Sequence, residues 1–304
     1  MKILVTGATG LVGTALVAAL ARDGHMVCRL VRPVTKTGGG SPGAFDVAWN
    51  PETGELGGAA VGAEAVVNLG GASIAGGRWT DARKKLLRSS RVDNTRALVT
   101  ALGKMNAKPD VLICASAIGV YGNRGDEVLS EESATGADFL AGISKDWEAE
   151  ALRAEELRTR VVLARFGVVL DKNGGALRKM LVPIKFGVGG RIGNGNQWMS
   201  WIALQDAVLA LQFTLRNRNL RGAVNIVAPE PVTNSEFTKT LAHTLHRPAF
   251  LPAPGFALRL AMGEMADALL LSSQRVVPEK LRRAGFNFKH PTLRPALRDM
   301  LVAG

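Results

Sequence analysis

Apolar and polar residues follow two rhythms along this chain. Largely apolar runs stand at Ile3-Leu-Val5, Met26–Val31, Ala65–Leu69, Val111–Ala117 and Arg160–Phe166, the pattern of strands covered on both faces. Between the runs, apolar positions recur at helical spacing: first Leu11, Ala15, Leu16, Ala19 and Leu20, then Leu87, Val92, Leu98, Ala101 and Leu102 inside one stretch from Arg83 to Lys104. The recurrence of strand, helix and strand predicts an α/β fold with a doubly wound parallel sheet. Phe45–Trp49 and Ala223–Ala228 read as further strands, and Pro33–Ala44, rich in glycine, as a surface loop.

After Phe166 the pattern loosens into glycine-broken loops and isolated helices at Leu204–Arg216, Pro278–Gly285 and Leu293–Leu301, with another opened by the capping box Thr233-Asn-Ser-Glu236. This predicts a nucleotide-binding domain over residues 1–166, completed by 204–228, and a smaller C-terminal lobe over most of 167–304. The apolar stretch from Pro252 to Leu271 is expected to be helical core.

The first break in periodicity is also the most informative. Thr6-Gly7 ends the first strand, and Gly7, Gly10 and Gly13 follow at three-residue spacing before a helix. Glycine there lets the backbone turn tightly and approach a pyrophosphate, and lets the helix pack close on the strand. The helix then points free N–H groups and its positive end at the phosphates. Gly7, Thr9, Gly10, Leu11, Val12 and Gly13 are the expected cradle of this Rossmann-type dinucleotide site. Arg32 closes the second strand where an acidic residue would hold the ribose hydroxyls of NAD. A guanidinium suits a 2′-phosphate instead, which selects NADP.

Composition changes the picture little. With 38 basic and 26 acidic residues the chain carries a net charge of +12, yet one tyrosine and few aromatics leave no stacking platform for single strands. Lys84, Arg88 and Arg91 share one helical face and read as a solvated stripe. No nucleic acid is expected as partner. No window resembles a spanning segment or a signal sequence, so the expected location is cytoplasmic, without a membrane partner, for a monomer or homodimer acting on a small molecule. Cys28 and Cys114 lie in apolar runs and read as buried thiols; His243 and His246 have no third ligand beside them, so no metal is expected. Gly193-Asn-Gly-Asn-Gln-Trp-Met-Ser-Trp201 gathers amides and two indoles that could hold a polar ligand or plug the core.

Several segments carry a family resemblance across nearly the whole chain: Val5–Gly13, Val67–Trp79, Ser90–Thr95, Ala115–Gly122, Gly195–Ile202 and Ala228–Asn234. The chain resembles the extended short-chain dehydrogenase/reductase superfamily and, within it, an epimerase-like branch named for nucleoside-diphosphate-sugar epimerases. That resemblance implies NADP as cofactor, contacts from Leu69, Gly70 and Arg91, and an oxidoreductase or epimerase acting on a carbonyl or secondary alcohol. It also implies a serine, a tyrosine and a lysine four residues after the tyrosine as the catalytic set. Ser116 fills the first role, although it stands five residues before Tyr121 where four is usual, and Lys145 fills the last and holds the nicotinamide ribose. Four residues before Lys145 stands Ala141, so the phenol is missing and Tyr121 is the substitute acid to consider. The alternative is a nucleotide-binding regulator or redox sensor with little turnover.

Overall fold

The computed structural model describes residues 1–32 and 43–302. Most of the glycine-rich segment expected to be a loop lies outside them. β1 (Lys2–Thr6), α1 (Leu11–Arg22), β2 (Met26–Val31), β3 (Ala44–Asn50), β4 (Glu55–Leu56) and β5 (Ala65–Asn68) form the first half of the main sheet. α2 (Asp81–Ser89), α3 (Val92–Lys104), β6 (Val111–Ala117), β7 (Val128–Leu129), α4 (Phe139–Leu152) and β8 (Arg160–Phe166) follow. The C-terminal part holds β9 (Val168–Asp171), α5 (Gly175–Lys185), β10 (Trp198–Met199), β11 (Trp201–Ala203), α6 (Leu204–Arg216), β12 (Gly222–Ile226), β13 (Val232–Thr233) and α7 (Asn234–Thr244). It closes with α8 (Gly255–Met262), α9 (Glu264–Ala266), β14 (Arg275–Val276), α10 (Glu279–Arg283) and α11 (Leu293–Leu301).

The sheet has eight strands in the order β12-β8-β6-β5-β1-β2-β3-β4. Every neighbouring pair is parallel except the short edge pair β3 and β4. Parallel strands must be covered on both faces. One face buries Ile3, Val5, Val67 and Ile113 under α1 and α6; the other buries Leu4, Val66, Leu112 and Cys114 under α3 and α4. β12, contributed from beyond the first 200 residues, completes the sheet beside β8. The C-terminal part has a core of its own, built from Leu177, Leu181, Trp201, Phe237, Leu241 and Leu297.

Two expectations need correction. The helix read from Arg83 to Lys104 is broken at Ser90-Arg91, where Arg91 departs from helical geometry at φ −111° and ψ −63°. Its supposed solvated stripe is paired instead: Lys84 meets Glu264 and Arg88 meets Asp146, while Arg91 turns inward. Nor is 252–271 helical core throughout, since α8 buries none of its residues. Only Met265 and Ala266 beyond it are buried. Among the described residues, no helix is long and apolar enough to cross a membrane.

Candidate cofactor cradle and active site

Gly7, Arg32, Leu69-Gly70 and Ser116-Ala117 all follow or end strands at the carboxyl edge of the sheet, where ligands of such sheets sit. The glycine turn is sterically exacting. Gly7 has φ +63°, and a Cβ there would lie 2.5 Å from the Leu69 carbonyl oxygen. A Cβ on Gly13 would overlap the Gly7 carbonyl and sit 2.9 Å from the Ala8 Cα. α1 begins without a side-chain cap and with no acidic residue in its first turn, so its leading amides remain available to an anion. Thr9 and Gly10 are exposed, Leu11 and Val12 half-buried, and Arg32 is exposed at the end of β2. The turn fits the pyrophosphate of a dinucleotide, and Arg32 lies exposed just past the end of β2 at the same edge of the sheet.

The end of β5 is held by side chains below it. Thr6 Oγ1 donates to Asn68 Oδ1 at 2.6 Å and accepts from the amides of Leu69 and Gly70, both at 3.1 Å. Asn68 Nδ2 donates to Thr95 Oγ1 at 2.9 Å, as does the Trp147 indole. This buried chain fixes the backbone that faces Gly7. Cys114 lies against Asn68, and burial pushes its thiol up to about 12, which leaves it protonated and inert.

Arg91 enters the site because the helix breaks. Its guanidinium donates to Leu87 O at 3.1 Å and Ala72 O at 3.0 Å and lies over the Trp147 ring, 5.4 Å from its centroid. Burial, and then the nearby Arg83, bring it down to about 10, so it stays cationic at neutral pH. It lines a cleft of about 140 Å³ with Ile74, Leu87, Ser116, Ala117, Gly119, Leu140, Ile143, Ser144 and Trp147. None of these ten is a carboxylate, phenol, imidazole or lysine.

The expected catalytic residues come together differently from the sequence reading. α4 turns Leu140, Ile143, Ser144 and Trp147 to the cleft, at the i, i+3, i+4 and i+7 spacing of one helical face. Lys145 lies on the exposed side beside Asp146, and Ala141 is buried elsewhere. A tyrosine and a lysine four apart that both reach a cofactor here would occupy 140 and 144, which hold leucine and serine. The lysine was assigned by residue type, one position out of helical register.

Ser116 and Tyr121 belong to a buried network. Ser116 Oγ donates to Glu148 Oε1 at 2.6 Å, and Arg165 grips the same carboxylate through Nε and Nη2, both at 2.8 Å. Arg165 Nη1 also donates to the Tyr121 hydroxyl at 3.0 Å, which in turn donates to Asn225 Oδ1 at 2.8 Å. Burial disfavours the Arg165 cation, but the Glu148 carboxylate outweighs it and holds the guanidinium above its ordinary range. Burial also raises the Tyr121 phenol, which is fully enclosed and far from an acid's working range at neutral pH. Ser116's single proton is committed to Glu148, so toward the cleft it can only accept. The residue four before Tyr121, where the serine is usual, is Ala117. Neither of the sequence-assigned roles, Ser116 as carbonyl donor and Tyr121 as acid, agrees with this geometry. The network itself, from Glu148 to Asn225, left no periodic signal; only the unusual burial of an arginine inside a strand hinted at it.

The remaining candidates are structural. Trp201 is fully buried and donates to Glu230 O at 3.0 Å, while Trp198 donates to Asp126 at 2.8 Å under the Arg275 guanidinium. Asp138 caps α4 by accepting from the Ala141 amide at 2.9 Å.

Comparison with known proteins agrees with this architecture. The epimerase family protein ML0860 of Mycobacterium leprae is 43% identical over 97% of this chain and 94% of its own. A chloroplastic SDR39U1 homolog of Arabidopsis thaliana is 38% identical over 99% of this chain and 87% of its own. The crystal structure of human epimerase family protein SDR39U1 with NADPH superposes with a TM-score of 0.86 at 31% identity, covering 99% of both chains. A model described as a domain of unknown function (DUF1731) matches residues 253–300, and the model of the NAD dependent epimerase/dehydratase family matches residues 3–227, so that the chain belongs to that family.

Proposed function

We propose that this protein binds NADP(H), with the pyrophosphate on the glycine turn and the 2′-phosphate on Arg32, and works as a nucleotide-binding sensor with little turnover. The human relative was solved with NADPH, and Gly7, Gly13 and Arg32 supply what that cofactor needs. The observation that carries the reading is the cleft face of α4, where Leu140 and Ser144 stand at the spacing a tyrosine and lysine would require. Hydride addition to a carbonyl leaves an alkoxide that must be protonated in place, and a positioned acid contributes about 10²–10⁴ in rate. With Ala117, Leu140 and Ser144 at the reacting end, the described lining of this cleft holds no such acid. The lining is mostly apolar (Ile74, Leu87, Leu140, Ile143 and Trp147) with Ser116, Ser144 and Arg91 as its polar side chains, too few for all of a sugar's hydroxyls, each unmade bond costing about 1–3 kcal/mol. This disfavours a nucleotide-linked sugar. An apolar ligand fits, with Arg91 available to an anionic group on it.

The test has two arms. Calorimetry with NADPH and NADH should give at least about tenfold tighter binding of NADPH, reversed in Arg32→Asp, because one charge-assisted hydrogen bond contributes roughly 1.5–3 kcal/mol. NADPH consumption over a panel of ketones and sugar nucleotides should stay near background. Equal affinities would overturn the cofactor assignment, and rapid turnover would overturn the sensor in favour of an oxidoreductase or epimerase.

A further inference from the structure

The end of α5 and the segment leading into α8 form a face that the rest of the chain leaves uncovered. Phe186 and Leu260 are 79% exposed, Phe256 74% and Phe250 73%, with Val182, Val188 and Leu251 about half exposed beside them. The two segments run together: the Leu251 amide donates to Gly189 O at 3.2 Å, the Ala253 amide donates to Arg191 O at 2.9 Å, and Ile192 and Ala253 form a parallel bridge. That register sets Phe250 opposite Gly189 and Leu251 opposite Gly190, glycines that leave the two side chains uncovered, while Phe256 and Leu260, four apart, share one side of α8. Three phenylalanines and a leucine so exposed present on the order of 500 Å², at the upper end of the largest apolar patch on an ordinary soluble monomer.

Charge says what meets this face. Residues 172–205 contain Lys172, Arg178, Lys179, Lys185 and Arg191 and no acidic residue; residues 237–263 contain Lys239, Arg247 and Arg259 and again none. Elsewhere the signs are interspersed and paired, as in Arg88 with Asp146 and Arg96 with Glu150. Arg259 pairs with Asp267 at 2.9 Å. Among the described residues, Lys185, Arg191 and Arg247 have no carboxylate within ion-pair reach. A second copy meeting this face symmetrically would bring these cations together.

We propose that this face docks on an anionic lipid surface. Phe186, Phe250, Phe256 and Leu260 enter the boundary between headgroups and acyl chains, and Lys185, Arg191 and Arg247 meet lipid phosphates. Among the described residues no helix is long and apolar enough to cross a membrane, and an interfacial face needs none, because its two halves come from separate segments of the sequence. Docking stands independently of the nucleotide reading. It has one consequence for the cleft: Met262 at the end of α8 and Met265 just past it pack with Trp79 and Ile143, and Ile143 lines the cleft, so the docked segment is joined to the site through one apolar cluster.

Sedimentation of the full chain with vesicles tests this, using phosphatidylcholine alone and with about 30% phosphatidylglycerol. The expected result is binding to the anionic vesicles, weaker to the neutral ones and weakened by salt. Phe256→Ser with Leu260→Ser should reduce partitioning at least about tenfold, and Lys185→Ala or Arg247→Ala about fivefold each. No binding to anionic vesicles at low salt, or binding unchanged by the double substitution, would overturn the proposal. So would a concentration-dependent dimer that the double substitution dissolves, which would give the face to a second copy, or tighter binding to an oligonucleotide than to vesicles.

Discussion

The two ends of the ligand groove differ in what they ask of the sequence. At the glycine turn, recognition is by backbone: Gly7 and Gly13 are fixed because a single carbon would strike Leu69 and Gly7, and no other residue type can stand there. At the far end, recognition and chemistry are by side chain. On the function proposed above, Ala117, Leu140 and Ser144 stand where reacting groups would, lining the cleft beside Ile143 and Trp147. A fold can lose chemistry at the second kind of site without disturbing its core, whereas the first kind is lost together with the local backbone. Behind the cleft lies the Ser116-Glu148-Arg165-Tyr121 network, whose polar groups bond to one another.

The largest expected effect breaks the backbone end. Gly13→Val should abolish measurable NADPH binding and cost about 1–3 kcal/mol or more of stability through overpacking; a variant that folds and binds within tenfold would remove the cradle from the account. Next comes the network. Glu148→Ala leaves Arg165 buried and uncompensated, which costs about 3–5 kcal/mol. Its melting temperature should fall on the order of 10 °C, and an unchanged melt would show that the network carries no structural load.

Smaller effects sharpen the contrast at the chemical end. Ala141→Tyr should give no gain in carbonyl reduction, because position 141 faces the core, whereas Ala117→Ser, Leu140→Tyr and Ser144→Lys combined should raise NADPH consumption above the natural protein. Gain from Ala141→Tyr alone would restore Lys145 to the site. Least of all, neither thiol should react: burial raises Cys28 and holds Cys114 at about 12. A raised thiol pKa disfavours the thiolate, so at pH 8 only about one part in 10⁴ of Cys114 is reactive. Rapid labelling by iodoacetamide in the folded protein would contradict its burial.

The contrast also explains what could be read from sequence. Ile3–Val5, Val111–Ala117 and Arg160–Phe166 mark the sheet because strands covered on both faces are predominantly apolar, and Gly7, Gly10 and Gly13 mark the turn because geometry allows little else. The break at Arg91 is hidden in the sequence, since Leu87 and Leu98, eleven residues apart, would fall on one face of a continuous helix. Lys145 and Ser116 match a residue type without its setting: Lys145 stands one place from Ser144, which faces the cleft, and Ser116 lines the cleft but gives its proton to Glu148, distinctions that only the fold makes. The exposed α8 looked like core because its composition is apolar, and composition does not say whether a partner surface lies inside the chain.

The register of α4 is most directly tested by titrating NADPH against Lys145→Ala, following both the dissociation constant and the emission of the bound dihydronicotinamide. Lys145 outside the cleft predicts an unchanged constant and an unchanged spectrum. A tenfold weakening with a shifted emission would put Lys145 on the nicotinamide ribose and return the catalytic set to this protein.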